Sequence, residues 1–429
     1  MPFSLRLIAF ILAGFAAVPA FGQPAPDRGM DRIPAPTGPW AVGRTGFHWT
    51  DSTRADPLAP GATARRELVV QVWYPAELKG PGRGEYIPHA AAIAAAIGDS
   101  AMAAEFGTAR TAITTGQVRS YSIPHARLKK SERDFRVLIF SPGFGESSLT
   151  YSAQLEEMAS QGYVVFGLEH PYDTYAVELG PQRIVPFARA KWDSARALPH
   201  GAVAYQLAQV PLRAGDIRFV IDQLPRLGDL HGPDRFADAV DLNRIGAFGH
   251  SLGGMAAASA CREDARIRAC LNEDADDEGR PYDGGIAALP IKQPFLFFAT
   301  DHSIYVSRRT PVPTDSALAA MKLSRPAYDS IVRLYQDNQD RALEAMPGGA
   351  IRVMAEAPDF THRSFIDLKV LQARDSAAIA RETEYLQVIR RYVVAFFDFY
   401  LREKSDPPLE RDGVIDSLIT IERYRRSGR

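Results

Sequence analysis

Apolar residues fall along this chain in two rhythms. Short, nearly continuous apolar runs occur at Val137–Phe140 (closing the segment Arg133–Phe140), Tyr163–Leu168, Ile245–Phe248, Phe295–Ala299 and Ile351–Met354. Runs of that length and density predict central strands covered on both faces. Glu67–Tyr74 reads as a further strand, closed by Pro75. Between the runs lie segments of helical character: the Ala-rich region 89–108, Gly145–Gln161, Tyr205–Leu224 with Pro211 near its start, and the Ala-rich Gly253–Ala260. Near the C-terminus Tyr385, Val388, Ile389, Tyr392, Val393, Phe396 and Phe397 recur at three- and four-residue steps, which marks one apolar helix face. Strands alternating with helices in this way predict an α/β fold with a mostly parallel, doubly wound sheet. Ser303–Gly349 breaks the alternation with two helical pieces, Ser316–Leu323 and Tyr328–Ala345. It reads as a helical insertion at about 303–349 before the last strand, either a lid or substrate wall beside the site or a peripheral helical decoration.

The first 22 residues stand apart from this pattern. Arg6 supplies a positive start, Leu7–Val18 an apolar stretch, and Ala20-Phe21-Gly22 a small-x-small cleavage site. The apolar stretch is far short of the ~20 residues that span a bilayer. Residues 1–22 therefore read as a signal peptide cleaved after Gly22, and the mature protein as exported, to the periplasm or beyond. Residues 23–39, rich in Pro and Gly, read as a leader, and 40–429 as the folded domain. Two cysteines, Cys261 and Cys270, complete the inventory. In an oxidising compartment they could pair, or they could remain two buried thiols; spacing alone leaves both open.

Composition narrows the classes of function. The 50 Lys and Arg balance 51 Asp and Glu for a formal net charge of -1. No basic cluster interleaved with aromatics appears, so no nucleic-acid partner is expected. No close metal-ligand spacing is present either, and neither metal nor other cofactor is expected.

The candidate chemistry sits at Gly249-His250-Ser251-Leu252-Gly253, directly after one strand and directly before one helix. This is the G-x-S-x-G nucleophile elbow of the α/β-hydrolase fold, which forces the serine into a strained turn with its hydroxyl exposed. Ser251 is the expected nucleophile. The helix N-terminus behind it favours developing negative charge. A serine hydroxyl needs a base, and the fold places it on the loop after the last strand. His362, in Phe360-Thr361-His362, satisfies that order better than His302, which follows an earlier strand. For the acid that orients the imidazole, spacing leaves Asp274 and Asp301 open, with Glu273 and Asp276 close enough to confuse the register. The oxyanion donors are expected to be the backbone N–H groups of Leu252 and Phe144, the latter in Ser141-Pro142-Gly143-Phe144-Gly145. Glu169-His170, at the end of a central strand, reads as a structural hydrogen-bonding pair.

Together these segments resemble the plasma-type platelet-activating factor acetylhydrolases and their bacterial relatives, over most of the mature chain. Gly38-Pro39-Trp40 with Val42-Gly43 resembles that family's amino-terminal GPY-x-VG. Phe140–Gly145 with Tyr151-Ser152 resembles its FSHGLG…YS, and Gly162–His170 its strand ending in EH. Arg244–Gly254 resembles the nucleophile segment, and Arg266–Ala275 and His362-Arg363-Ser364-Phe365 the acid and histidine segments. Pro142 stands where the family has histidine, and Leu252 where it has an aromatic. The resemblance implies that Asp274 is the acid, since the family's acid follows the strand after the nucleophile helix. It also implies a small-molecule ester substrate with a short or oxidised acyl group and a lysophospholipid alcohol, hence transient contact with a membrane surface. Two other readings remain: a general carboxylesterase or polyester hydrolase sharing the elbow, and a non-catalytic binding protein that retains the fold. Nothing in the sequence speaks to oligomeric state.

Overall fold

The computed structural model describes residues 32–424, apart from 62, 78–82, 131–134, 181–182, 199–200, 230–235, 237–238, 276–289, 301–313, 321–323 and 406. The signal peptide, most of the leader, Asp276, Asp301 and His302 lie outside the described residues. In chain order the strands are β1 (Ala41–Ala55), β2 (Arg65–Ala76), β3 (Ile123–Pro124), β4 (Phe135–Ser141), β5 (Tyr163–Glu169), β6 (Ala176–Glu178) and β7 (Ile184–Pro186). They continue with β8 (Val240–His250), β9 (Ile267–Glu273), β10 (Phe295–Ala299), β11 (Ala350–Ala355), β12 (Gly413–Val414) and β13 (Ile419–Tyr424).

Eleven of these form one sheet, ordered β12-β13-β11-β10-β9-β8-β4-β5-β2-β1-β3, while β6 and β7 pair separately. The six central strands β11 to β5 in that order are all parallel to their neighbours. Antiparallel pairs flank them, β2 with β5 on one side and β13 with β11 on the other. The parallel strands carry the near-continuous apolar runs because both of their faces are covered. On β4, Leu138 and Phe140 enter one core, and Val137 and Ile139 the other. The first core packs under helices Ser152–Ser160 and Ser376–Arg402, the second under Gly201–Gln223 and Leu252–Glu263. This is the expected doubly wound α/β architecture.

Several boundaries depart from the sequence reading. The strand β1 was absent from it, because Ala41–Ala55 mixes Gly, Arg, Asp and Thr and earns its extended form by pairing with β2 along its length. Pro75 does not close β2 but lies one residue inside it. The region 89–108 is two helices, Ala90–Ile97 and Asp99–Phe106, separated at Gly98. The helix expected from Gly145 begins as an α-helix only at Ser152, after a 3₁₀ turn at Ser148–Tyr151. There the Glu169 carboxylate accepts hydrogen bonds from the backbone and hydroxyl of Ser148 and from the hydroxyl of Ser147, holding the chain in the tighter turn. Pro211 lies well inside its helix, which starts at Gly201. The strand after the insertion, β11, is the last parallel strand but not the last of the sheet. After the helix Ser376–Arg402 the chain returns as β12 and β13 to extend the edge.

The stretch 303–349 holds the helices Asp315–Ala320 and Arg325–Glu344. The C-terminal end of the second packs on the sheet: Leu343 and Met346 join the second core, and Arg352 of β11 donates to Asp340 at 2.6 Å. Cys261 and Cys270 are joined in a disulfide, Cα to Cα 6.5 Å, tying helix Leu252–Glu263 to β9. Closing so short a loop is worth about 3 kcal/mol by chain entropy. Among the described residues no helix is long and apolar enough to cross a membrane.

Candidate active site

Four strand ends on one side of the sheet bring the candidate residues together. β8 ends at His250, and the helix Leu252–Glu263 begins one residue after Ser251. Ser251 absorbs the whole reversal, at φ 53° and ψ −127°. That conformation costs a non-glycine residue of order 1–3 kcal/mol, and it persists only where the surroundings enforce it. They do so here: the Ser251 N–H donates to the Glu273 carbonyl at 2.8 Å, and its carbonyl accepts from Gly254 N–H at 2.8 Å. The turn also requires close approach of two backbones. A Cβ on Gly253 would lie 2.0 Å from the Ser141 carbonyl oxygen, and one on Gly249 2.4 Å from the same atom. Two of the motif's glycines therefore let the elbow press against the end of β4 and the Pro142–Gly145 loop that follows it.

β9 ends at Glu273, and Asp274 turns out of the strand with φ 57°. Its N–H donates to the Phe298 carbonyl of β10 at 2.7 Å. The buried carboxylate accepts from Thr300 N–H at 2.6 Å, from Thr300 Oγ1 at 2.7 Å and from His362 Nδ1 at 2.7 Å. His362 opens the 3₁₀ turn His362–Phe365 beyond β11, held by a reciprocal cap between Thr361 and Ser364. Its side chain is 42% exposed whereas that of Asp274 is 1% exposed, so the imidazole is open to solvent with its back to a buried carboxylate. The choice between Asp274 and Asp301 that spacing left open thus meets a direct His362–Asp274 hydrogen bond.

Beneath His362 lies His250, ring centroids 4.4 Å apart. Burial, with His362 alongside, pushes the His250 pKa well below its ordinary value and keeps the ring neutral. Tyr151, whose own pKa is driven well up by burial, accepts from Gly143 N–H at 3.1 Å and lies 2.8 Å from His250 Nδ1. The N–H groups of Phe144 and Leu252 meet no acceptor among the described residues.

The side chains of those two residues form one wall. Leu252, Met255, Val210 and Ala275 make an apolar cluster separate from both sheet cores, with Phe144 and Leu207 packed on it. The half-buried Phe144 ring lies 5.0 Å from Trp192, 5.5 Å from Phe187 and 6.2 Å from Tyr205, centroid to centroid.

Sequence reasoning missed Thr300, Arg213 and Asp173. Thr300 holds the acid. Arg213 and Asp173 are buried behind the Pro142–Gly145 loop, and no motif marks them. Glu169 and His170 behave as a hydrogen-bonding pair of buried groups: Glu169 takes up the donors of Ser147 and Ser148, and His170 bonds Ser141 and Asp216. Among the described residues no group of three or more His, Cys, Asp or Glu side chains is arranged to hold a metal ion.

Glu273 has a measurable consequence. Burial, reinforced by Asp274 and partly offset by a hydrogen bond from Gln154, pushes its pKa up to about 8 from 4.5. Between those values the folded protein holds a proton that the unfolded chain releases, so stability declines as pH rises from 4.5 to 8. Glu273→Gln removes this titration. Its stability relative to wild type should climb between pH 5 and pH 8 by at most about 1.4 kcal/mol per pH unit. Urea unfolding at several pH values measures this, and parallel pH curves for the two proteins would refute it.

Comparison with known proteins identifies relatives of the chain. Residues 27–178 match the family model described as platelet-activating factor acetylhydrolase, isoform II. A probable 1-alkyl-2-acetylglycerophosphocholine esterase of Arthroderma benhamiae is 27% identical over 273 residues, 62% of this chain and 64% of that protein. A platelet-activating factor acetylhydrolase of Bos taurus is 27% identical over 167 residues, 35% of this chain and 37% of that one. The chain thus spans less than two thirds of the length of these relatives. A solved ferulic acid esterase from Streptomyces cinnamoneus superposes with TM-score 0.64 at 26% identity, covering 91% of this chain and 98% of that one. The chain has the α/β-hydrolase fold.

Proposed function

We propose that this homologue of the platelet-activating factor acetylhydrolases is a serine hydrolase of carboxylic esters. The observation that carries the reading is Ser251, held in a strained strand-to-helix turn pressed against the loop that follows β4. On this reading Ser251 Oγ attacks the ester carbonyl while His362 Nε2 takes its proton. Asp274 keeps the His362 Nδ1–H tautomer and stabilises the imidazolium, as the 2.7 Å hydrogen bond favours. The N–H groups of Phe144 and Leu252 receive the oxyanion. His362 then protonates the leaving alcohol, and a water activated by the same imidazole hydrolyses the acyl-enzyme.

By kinship the substrate is a short or oxidised acyl ester, including the sn-2 position of a phospholipid. A second reading draws on the three rings around Phe144, since a ring-lined wall beside an oxyanion donor suits a planar aromatic acyl group. The structural likeness to a ferulic acid esterase agrees with it. Parallel assays of nitrophenyl acetate, a short-chain sn-2 phospholipid and a methyl hydroxycinnamate discriminate the two. A phospholipid preference supports the first reading and a hydroxycinnamate preference the second. Activity on the simple ester alone points to a general esterase, and no activity on any of them rejects the proposal.

Export fits both the amino-terminal segment and the Cys261–Cys270 disulfide, which belongs to an oxidising compartment. Amino-terminal sequencing of the protein recovered outside the cytoplasm should begin at Gln23. A chain that still begins at Met1 contradicts export with cleavage.

A further inference from the structure

Two buried ionic arrays from one helix converge on the segment Ser141–Gly145. In the first, Arg213 of helix Gly201–Gln223 is wholly buried. Its Nε donates to Asp173 Oδ2 at 2.6 Å, its Nη1 to the Pro142 carbonyl at 2.6 Å and its Nη2 to the Gly143 carbonyl at 3.3 Å. In the second, Asp216, three residues on, accepts from Arg66 Nη2 at 2.6 Å and from His170 Nδ1 at 2.8 Å. The other nitrogen of His170 lies 2.9 Å from Ser141 Oγ. Ser141, His170 and Asp216 have the connectivity of a catalytic triad, but all three are fully buried, so no substrate reaches them.

The consequence lies in the peptide planes. In a trans peptide the C=O and the following N–H point in opposite directions. Arg213 draws the Pro142 carbonyl to itself, and the Gly143 N–H accordingly points the other way, to Tyr151 OH at 3.1 Å. It likewise draws the Gly143 carbonyl, which turns the Phe144 N–H away from Arg213. A planar guanidinium makes both contacts and the carboxylate bond at once, which a lysine ammonium does not. Burying such a charge is costly, and packing alone would be served as well by an apolar side chain.

We propose that Arg213, paired with Asp173, is a positioning residue that aims the Phe144 N–H at the oxyanion, while Asp216-His170-Ser141 anchors the strand end behind it. The proposal rests on the serine-hydrolase reading above. Neither Arg213 nor Asp173 touches substrate; they act through the orientation of one amide.

The test compares wild type with Arg213→Met, Arg213→Lys and Ser251→Ala. It measures kcat and KM on nitrophenyl acetate, affinity for an alkyl boronic acid that forms a tetrahedral serine adduct, and Tm. Loss of an oxyanion donor costs about 10²–10³ in rate, and misaiming it should cost a large part of that. Arg213→Met should lower kcat about 30- to 100-fold, weaken the boronic acid by a similar factor and leave KM within about threefold. Arg213→Lys should fall between it and wild type. Wild-type kcat and boronic acid affinity in folded Arg213→Met overturn the proposal, as does a loss explained wholly by a reduced fraction of folded enzyme. If Arg213→Met does not fold, Arg213→Lys and Asp173→Asn decide by the same split, and unchanged kcat in both overturns it. Full turnover by Ser251→Ala would instead reject the hydrolase reading itself, whatever Arg213 does.

Discussion

Ser251→Ala is expected to lower kcat by roughly 10⁵- to 10⁶-fold, the largest single effect in the molecule. Without the hydroxyl no acyl-enzyme forms, and the residual rate is what the oxyanion donors and binding give to direct attack by water. The fold should survive. The Ser251 side chain caps no helix N–H, and the bonds that hold the turn, to the Glu273 carbonyl and from Gly254, are made by its backbone. Alanine has less steric demand than serine in that turn but the same Cβ, so the strain at φ 53° remains and Tm should change little. A large fall in Tm would mean that the activity loss reported unfolding rather than chemistry.

Asp274→Asn is the second large effect, about 10⁴-fold in kcat. In the wild type one carboxylate oxygen accepts from both Thr300 Oγ1 and His362 Nδ1, while the other accepts from Thr300 N–H. The amide keeps its oxygen toward the backbone donor of Thr300, and its NH₂ then faces His362 Nδ1. That nitrogen must accept rather than donate, so the proton moves to Nε2 and the imidazole presents no lone pair to Ser251. Geometry is preserved while the tautomer is wrong. The prediction is a kcat drop with KM within a few-fold of wild type. Activity retained within tenfold would show that another carboxylate serves His362.

The parallel core of the sheet was legible because physics writes it plainly. Strands such as β4, β5 and β10, covered on both faces, carry nearly continuous apolar runs, with polar residues only towards their ends. The long helix Ser376–Arg402 was legible because a single apolar stripe meets the sheet. The flanking strands were not. β1 and β13 are stabilised by pairing with β2 and β11, and their sequences, with Arg, Thr and Glu at intervals, carry little signal of their own.

The candidate site divides in the same way. Ser251 announces itself because the elbow demands glycines at fixed offsets, and the clashes at Gly249 and Gly253 state why. His362 follows from chain order. Asp274 needed a resemblance to separate it from Asp301, since both follow apolar strands and spacing does not distinguish neighbouring strand ends. Arg213 and Asp173 were beyond sequence reasoning altogether. An arginine in mid-helix reads as a solvated residue, and only the crossing of Gly201–Gln223 behind the loop reveals that it is buried against two carbonyls.

The central claim is that Ser251 is the nucleophile, and covalent trapping addresses it most directly. Purified wild-type protein is treated with a fluorophosphonate, and the modified peptide is identified by mass spectrometry alongside residual esterase activity. The account predicts one adduct per chain, on Ser251, formed in step with loss of activity and absent from Ser251→Ala. An adduct on a different residue that tracks the loss of activity, or full esterase activity in a protein that takes up no label, would contradict it.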